Sequence, residues 1–264
     1  MWRLTIHTFQ RLLGLRRPFK YKIVPILLGL ACFIFPLGLI AIAAFVPGGG
    51  AFTFGYAQMF LVISLPILLF VVLTAPNGLI TDRRTKSLSL YLASSLTRTT
   101  YLIAHGAAVA AVLAVVTIGP LLLYFVSTVL QGTGPDGIAG FGSDLGKILL
   151  AGTFLAVYYA AITLVAGAFA ERPSVAAGAI FIGLSALSAV TEPLARRFDN
   201  DAVRLLSIGD LEEHIVFRIF DFDVTGTAIP IDLPTYALVG AAFFWAAVFF
   251  GATWWRYERL VISR

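Results

Sequence analysis

Six apolar stretches, separated by short polar connections, constrain this chain more than any other feature. They fall at about 23–46, 58–75, 104–130, 148–170, 175–190 and 236–255. About 20 apolar residues in helix cross the hydrocarbon core of a bilayer, so the run 175–190 is short for a full crossing while the others are adequate. Inside lipid a segment must satisfy its own backbone hydrogen bonds, which leaves helices as the spanning form for runs of this length. The expected fold is therefore all-α: one polytopic membrane domain over 1–264 with six transmembrane helices. Composition agrees, because only 12% of the residues are charged and 59% are hydrophobic, where a soluble domain carries about 25% charge.

The connections carry the rest of the information. Residues 1–22 place Trp2, Ile6, Phe9 and Leu13 at helical spacing among six basic residues, which predicts an interfacial helix leading into the first span. A cleaved signal peptide would have an apolar region of 7–15 residues, and the run from Ile23 to Val46 exceeds that. Pro25 and Pro36 would kink this span, as membrane helices tolerate. Pro47-Gly48-Gly49-Gly50 and Pro76-Asn77-Gly78 break the chain after the first and second spans. Gly119-Pro120 predicts a bend in the third. Glu171-Arg172-Pro173-Ser174 is a tight turn between the fourth and fifth. The sixth closes on Trp254-Trp255-Arg256-Tyr257, an aromatic and basic sequence suited to the headgroup layer.

Charge sets the expected orientation. The N-terminal stretch, the 76–103 loop, the 171–174 turn and the C-terminal tail hold 14 of the 19 Lys and Arg; the others are Lys147, Arg196, Arg197, Arg204 and Arg218. Basic residues concentrate on the cytoplasmic side of membrane proteins. Both termini are thus expected in the cytoplasm of a prokaryote with the chain in its inner membrane, and 191–235 becomes an extracytoplasmic loop. The net charge of +5 is then an orientation signal, and nucleic acid is excluded as a partner. The bilayer itself is the first partner. Cys32 is the single cysteine and lies in an apolar run, so no intrachain disulfide can form.

One polar connection stands apart. From Asp82-Arg83-Arg84 the chain runs through Leu88, Tyr91, Leu92 and Leu96 to Arg98 and Tyr101. The leucines recur every four residues, which puts them on one face of a short helix within 80–101. Such a helix can lie on the membrane surface or present its face to a soluble partner.

These residues, with Leu96-Thr97-Arg98 and Tyr101-Leu102-Ile103, resemble the first cytoplasmic loop of type-2 ABC transporter permeases. Ser95 stands where that family often has Pro, and Ala104-His105 where it often has Gly-Lys. The resemblance implies that the loop is a coupling helix docking on a cytoplasmic ATP-binding subunit through Asp82, Arg83, Arg84, Leu88, Tyr91, Leu92, Arg98 and Tyr101. It also implies a second permease copy or paralogue, with ATP and magnesium held on the partner subunit and no cofactor in this chain. The importer-type Glu-Ala-Ala loop is absent, which favours export of a hydrophobic or amphipathic substrate. In the resembled family the region between spans five and six carries short re-entrant or interfacial helices.

No residue set here points to catalysis. Gly142-Ser143-Asp144-Leu145-Gly146-Lys147-Ile148 is one residue short of a phosphate-binding loop, with Ile148 where magnesium needs Ser or Thr. His214 follows Glu212-Glu213 without a recognised metal-ligand spacing, so no metal or catalytic residue is assigned. A membrane-embedded enzyme using that outer acidic loop, or a membrane scaffold, remains the alternative. Leu211, Ile215, Val216, Ile219 and Phe220 predict an amphipathic helix near the outer surface. The spans as drawn have no ionisable interior residue, which argues against ion-driven transport. Tyr124, Tyr158 and Tyr159 are their notable polar groups, fitted either to a translocation path or to interhelical hydrogen bonds. Gly152, Ala156 and Ala160, and Ala179 with Gly183, form small-residue stripes for helix packing within the chain or between two copies.

Overall fold

The computed structural model describes residues 5–6, 8–10, 19–45, 54–74, 76–85, 97–222 and 233–259. Among these residues every regular element is helical. In order they are α1 (Phe19–Phe45), α2 (Tyr56–Thr74), α3 (Asn77–Arg84), α4 (Arg98–Leu130), α5 (Gly137–Phe169), α6 (Pro173–Phe198), a 3-10 helix η1 (Asp201–Leu206), α7 (Ile208–Ile219) and α8 (Thr235–Glu258). Six helices are long and apolar enough to cross a membrane: Ile23–Ile42, Tyr56–Arg84, Arg98–Leu130, Gly137–Phe169, Pro173–Phe198 and Thr235–Glu258. They suggest a multi-pass membrane protein.

Local chemistry places the boundaries. Thr97 is extended and its hydroxyl accepts the Thr100 amide, which starts α4. Gly132 and Gly137 adopt positive φ of 71° and 68°, and so turn the chain from α4 into α5 within six residues. Pro173 occupies the first turn of α6, where its missing N–H costs nothing. α4 and α5 form the centre of the bundle. Gly152 permits their approach, because a Cβ there would lie 2.3 Å from Ile118 Cγ1. Thr117 then donates to the Gly152 carbonyl at 2.9 Å. Ala156 and Ala160 continue that buried stripe, whereas Ala179 is exposed and Gly183 has open space at its Cβ position.

Four boundaries differ from the expectation. First, 131–147 is not one loop: α5 begins at Gly137, so Gly142–Ile148 is helical and makes no phosphate-cradling turn. Second, α4 starts at Arg98 rather than 104, and it runs unbroken through Pro120. Gly119 there admits the Phe33 ring of α1, whose Cζ would lie 2.7 Å from a Cβ. Third, the fifth span does not stop at 190. α6 continues through Glu192 and Pro193 to Phe198 because the charge is compensated: Glu192 pairs with Arg196 at 2.5 Å and with Arg204 at 3.0 Å. Arg204 also binds Asp201 at 2.7 Å.

Fourth, the amphipathic helix expected over 211–220 begins earlier, at Ile208, and is packed into the bundle. Asp199 ends α6 in the left-handed region at φ 48°, and η1 turns back along that helix. Ser207 reaches Ser188 at 2.9 Å, and Trp245 Nε1 donates to the Leu205 carbonyl at 3.1 Å. Trp245 lies ten residues into α8, about 15 Å from its start at 1.5 Å per residue. α7 then leads back out, packed between α6, α5 and α8. η1 and α7 form a hairpin against α6, with its tip about 15 Å along α8.

Candidate functional site: two tyrosine–carboxylate contacts and a clamped connector

The first contact sits where the basic connector meets the bundle. Leu79, Tyr101, Ala104, Leu164, Ala168 and Tyr257 form a separate buried cluster that fixes α3 against α4, α5 and α8. Within it Tyr101 donates to Asp82 Oδ2 at 2.8 Å, and both residues are buried. The Tyr257 ring stacks on Tyr101 with centroids 6.1 Å apart, and His105 lies 5.8 Å from the same ring.

Two arginines tie the connector to helix ends. A helix leaves its last carbonyls unsatisfied and carries partial negative charge there, so a guanidinium is a strong cap. Arg83 donates to the carbonyls of Gly167, Ala168 and Ala170 at the end of α5. Arg98 donates to those of Tyr257 and Glu258 at the end of α8. Both flanks of the connector are thus fastened to span ends, and Arg84 is exposed beside them. Leu88, Tyr91 and Leu92, the expected docking face, lie outside the described residues. Asp82 and Arg84 fall on α3, and Arg98 and Tyr101 on α4, so the 80–101 segment begins and ends in bundle helices.

The second contact is deep. Tyr159 donates to Glu212 Oε1 at 2.5 Å, and Tyr158 donates to the Ile208 carbonyl at 2.9 Å. The Lys147–Asp221 ion pair, at 2.6 Å, and Phe169 bracket about 33 Å of α5, and Tyr159 lies about 15 Å from Phe169. That is about midway along this stretch of the bundle. The spans themselves lack a carboxylate at this level, and the hairpin supplies one. Ser207 caps α7 by accepting the Asp210 amide, and its hydroxyl donates to the Asp210 carboxylate at 2.6 Å. Gly209 lets the tip close on α6, since a Cβ there would stand 2.9 Å from the Leu184 carbonyl oxygen.

Glu212 is placed to be neutral. Its Oε2 is shielded and has no hydrogen-bond partner among the described residues. Burial raises its pKa from 4.5 to about 8; the Tyr159 hydrogen bond opposes that shift, and the charges of Glu213 and Asp210 reinforce it. Burial also raises Glu213, again helped by Asp210. His214 is lowered by burial, against the pull of Asp210. The hydroxyls of Tyr124, Tyr158 and Tyr159 all engage protein groups in this structure, that of Tyr124 binding both the Phe54 amide and carbonyl at 2.9 Å. The three side chains are buried. Among the described residues no group of three or more His, Cys, Asp or Glu is placed to hold a metal ion.

Residue spacing missed the Glu212–Tyr159 contact because the partners are 53 positions apart on different elements. One signal was available: Ser207-Ile208-Gly209-Asp210 is a helix-start pattern with a glycine suited to close approach. The class that fold and site define is an all-helical protein whose six long apolar helices suggest a multi-pass membrane protein, with a short helical hairpin packed against them. No protein-family model and no curated protein sequence matches this chain.

Proposed function

We propose that this chain is the membrane-spanning permease subunit of an ATP-driven exporter in a prokaryotic cytoplasmic membrane, resembling type-2 ABC permeases. In this reading ATP and magnesium are bound by a separate cytoplasmic subunit, and a second permease copy or paralogue completes the pore. The substrate class is hydrophobic or amphipathic.

The observation that carries the reading is the double clamp on the connector. A segment that receives force from a partner must pass it to the spans, and a floppy loop cannot. Here Arg83 grips the end of α5 and Arg98 the end of α8, so both described ends of the connector are tied to spans. The η1–α7 hairpin at the opposite end supports the same reading, because it packs against α5, α6 and α8 and can respond when those helices shift. The basic asymmetry of the loops supports a cytoplasmic connector.

The test is co-purification with an ATP-binding protein encoded beside this chain, followed by ATP hydrolysis and transport in vesicles. Leu88→Asp and Leu92→Asp are expected to abolish assembly or to uncouple hydrolysis from transport. Unchanged complex yield and unchanged transport in both variants would remove the coupling role.

A further inference from the structure

The basic end of the bundle holds a cleft of about 790 Å³ between α3, the α5–α6 turn and the end of α8. Arg83, Arg84, Arg172 and Arg256 line it with a single carboxylate, Glu171, and with Ser174. Four cations against one anion leave a strong positive excess in one concavity. We propose that this cleft binds the phosphodiester headgroup of an anionic bilayer lipid.

Three independent observations support an anion. α6 opens at the cleft with Arg172 as its N-cap and no side-chain cap, so the positive end of a 26-residue helix adds to the arginines. Arg83 and Arg256 each retain a shielded Nε–H with no acceptor among the described residues, so these guanidiniums carry more donors than the protein satisfies. Arg84 and Arg172 are exposed, and their heads are open to a ligand from the aqueous side.

The surroundings favour a lipid over a soluble phosphate. Arg256 directly follows Trp254 and Trp255, which are 50% and 47% exposed, and such aromatic residues mark the headgroup layer. Phe169, whose ring carries Arg256 at 5.8 Å, is itself 48% exposed, as is Val175 at 56%. Acyl chains would run down this apolar flank while the phosphate entered the cleft. Basic pockets between spans on the cytoplasmic side are suited to such headgroups. The proposal rests on the membrane reading alone and stands whether or not the chain works with an ATP-binding subunit.

The experiment uses the full chain, purified in a neutral detergent, and reads bound lipid by native mass spectrometry and stability by thermal unfolding. The probes are phosphatidylglycerol, phosphatidylcholine and inorganic phosphate. Phosphatidylglycerol is expected to bind and to raise the unfolding midpoint, and the other two to do neither. The double variant Arg84→Gln/Arg172→Gln changes exposed side chains and should fold. Its phosphatidylglycerol affinity should fall roughly 30-fold, from about one basic contribution lost per arginine. Glu171→Gln should strengthen binding. Equal responses to the two lipids, or an undiminished response in the double variant, would overturn the proposal. A matching response to inorganic phosphate would reassign the cleft to a soluble anion. Loss of a co-purifying protein from the double variant, with no lipid response in the wild type, would reassign it to a protein partner.

Discussion

At the basic end of the bundle Tyr101 reaches Asp82 over 2.8 Å, with Arg83 next in the chain and clamped to the end of α5. Deeper in the bundle Tyr159 reaches Glu212 over 2.5 Å, and the charged groups that act on this carboxylate are the acids Glu213 and Asp210. The two contacts share a donor, an acceptor and a buried setting. They differ in what else is present. The first is embedded in cations and backbone caps, so it fastens helices. At the second, burial and the neighbouring acids Glu213 and Asp210 raise the carboxyl pKa, which makes its grip depend on protonation. Similar pairs of side chains therefore sit beside an arginine clamp in one place and beside further acids in the other.

The largest expected effect lies on the fastening. Arg83→Ala removes several charge-assisted hydrogen bonds to α5, each worth about 1.5–3 kcal/mol, so a loss of about 4 kcal/mol and a poor folded yield are expected. Thermal unfolding in detergent reads this directly, and a midpoint near wild type would end the distinction drawn above. Gly209→Val attacks the deep contact by driving the hairpin tip off the Leu184 carbonyl, with an expected cost of about 2–3 kcal/mol. Gly183→Val, which faces open space, is its control and should be close to neutral.

A pH series sharpens the comparison. Glu212 has a folded-state pKa of about 8 against 4.5 for an unperturbed group. A raised carboxylate binds its proton more tightly when folded, so its stabilising effect is complete below pH 4.5 and is lost as pH rises through 8. Wild-type stability should therefore fall between pH 5 and 9, and Glu212→Gln should flatten that slope, leaving the smaller part that comes from the raised Glu213. A slope unchanged by Glu212→Gln would overturn the assignment. The smallest effect is expected at Lys147→Ala. Its ion pair is with an aspartate whose side chain is 79% exposed, and removing it should cost under about 0.5 kcal/mol.

The six spans were readable because hydrophobic length is a local property, and 236–255 matches α8 to within a few residues. The packing of the η1–α7 hairpin was not readable from spacing, although the resemblance implied short re-entrant or interfacial helices there, and the reason is physical. Leu211, Ile215 and Val216 face protein in a bundle as they would face lipid at a surface, so amphipathic spacing alone gives no depth. Pro193 and Glu192 look like a stop signal until Arg204, twelve residues on, folds back to compensate the charge. The same holds for Arg83, which reads as a loop cation yet caps carbonyls more than 80 residues away. Pairings between distant elements carry the site, and spacing along one segment cannot reveal them.

At 12 residues α7 is too short to cross a bilayer, yet it carries Glu212 into contact with Tyr159 inside the bundle. The interior of an otherwise apolar assembly thus acquires an ionisable group from a segment that no search for long apolar runs would select.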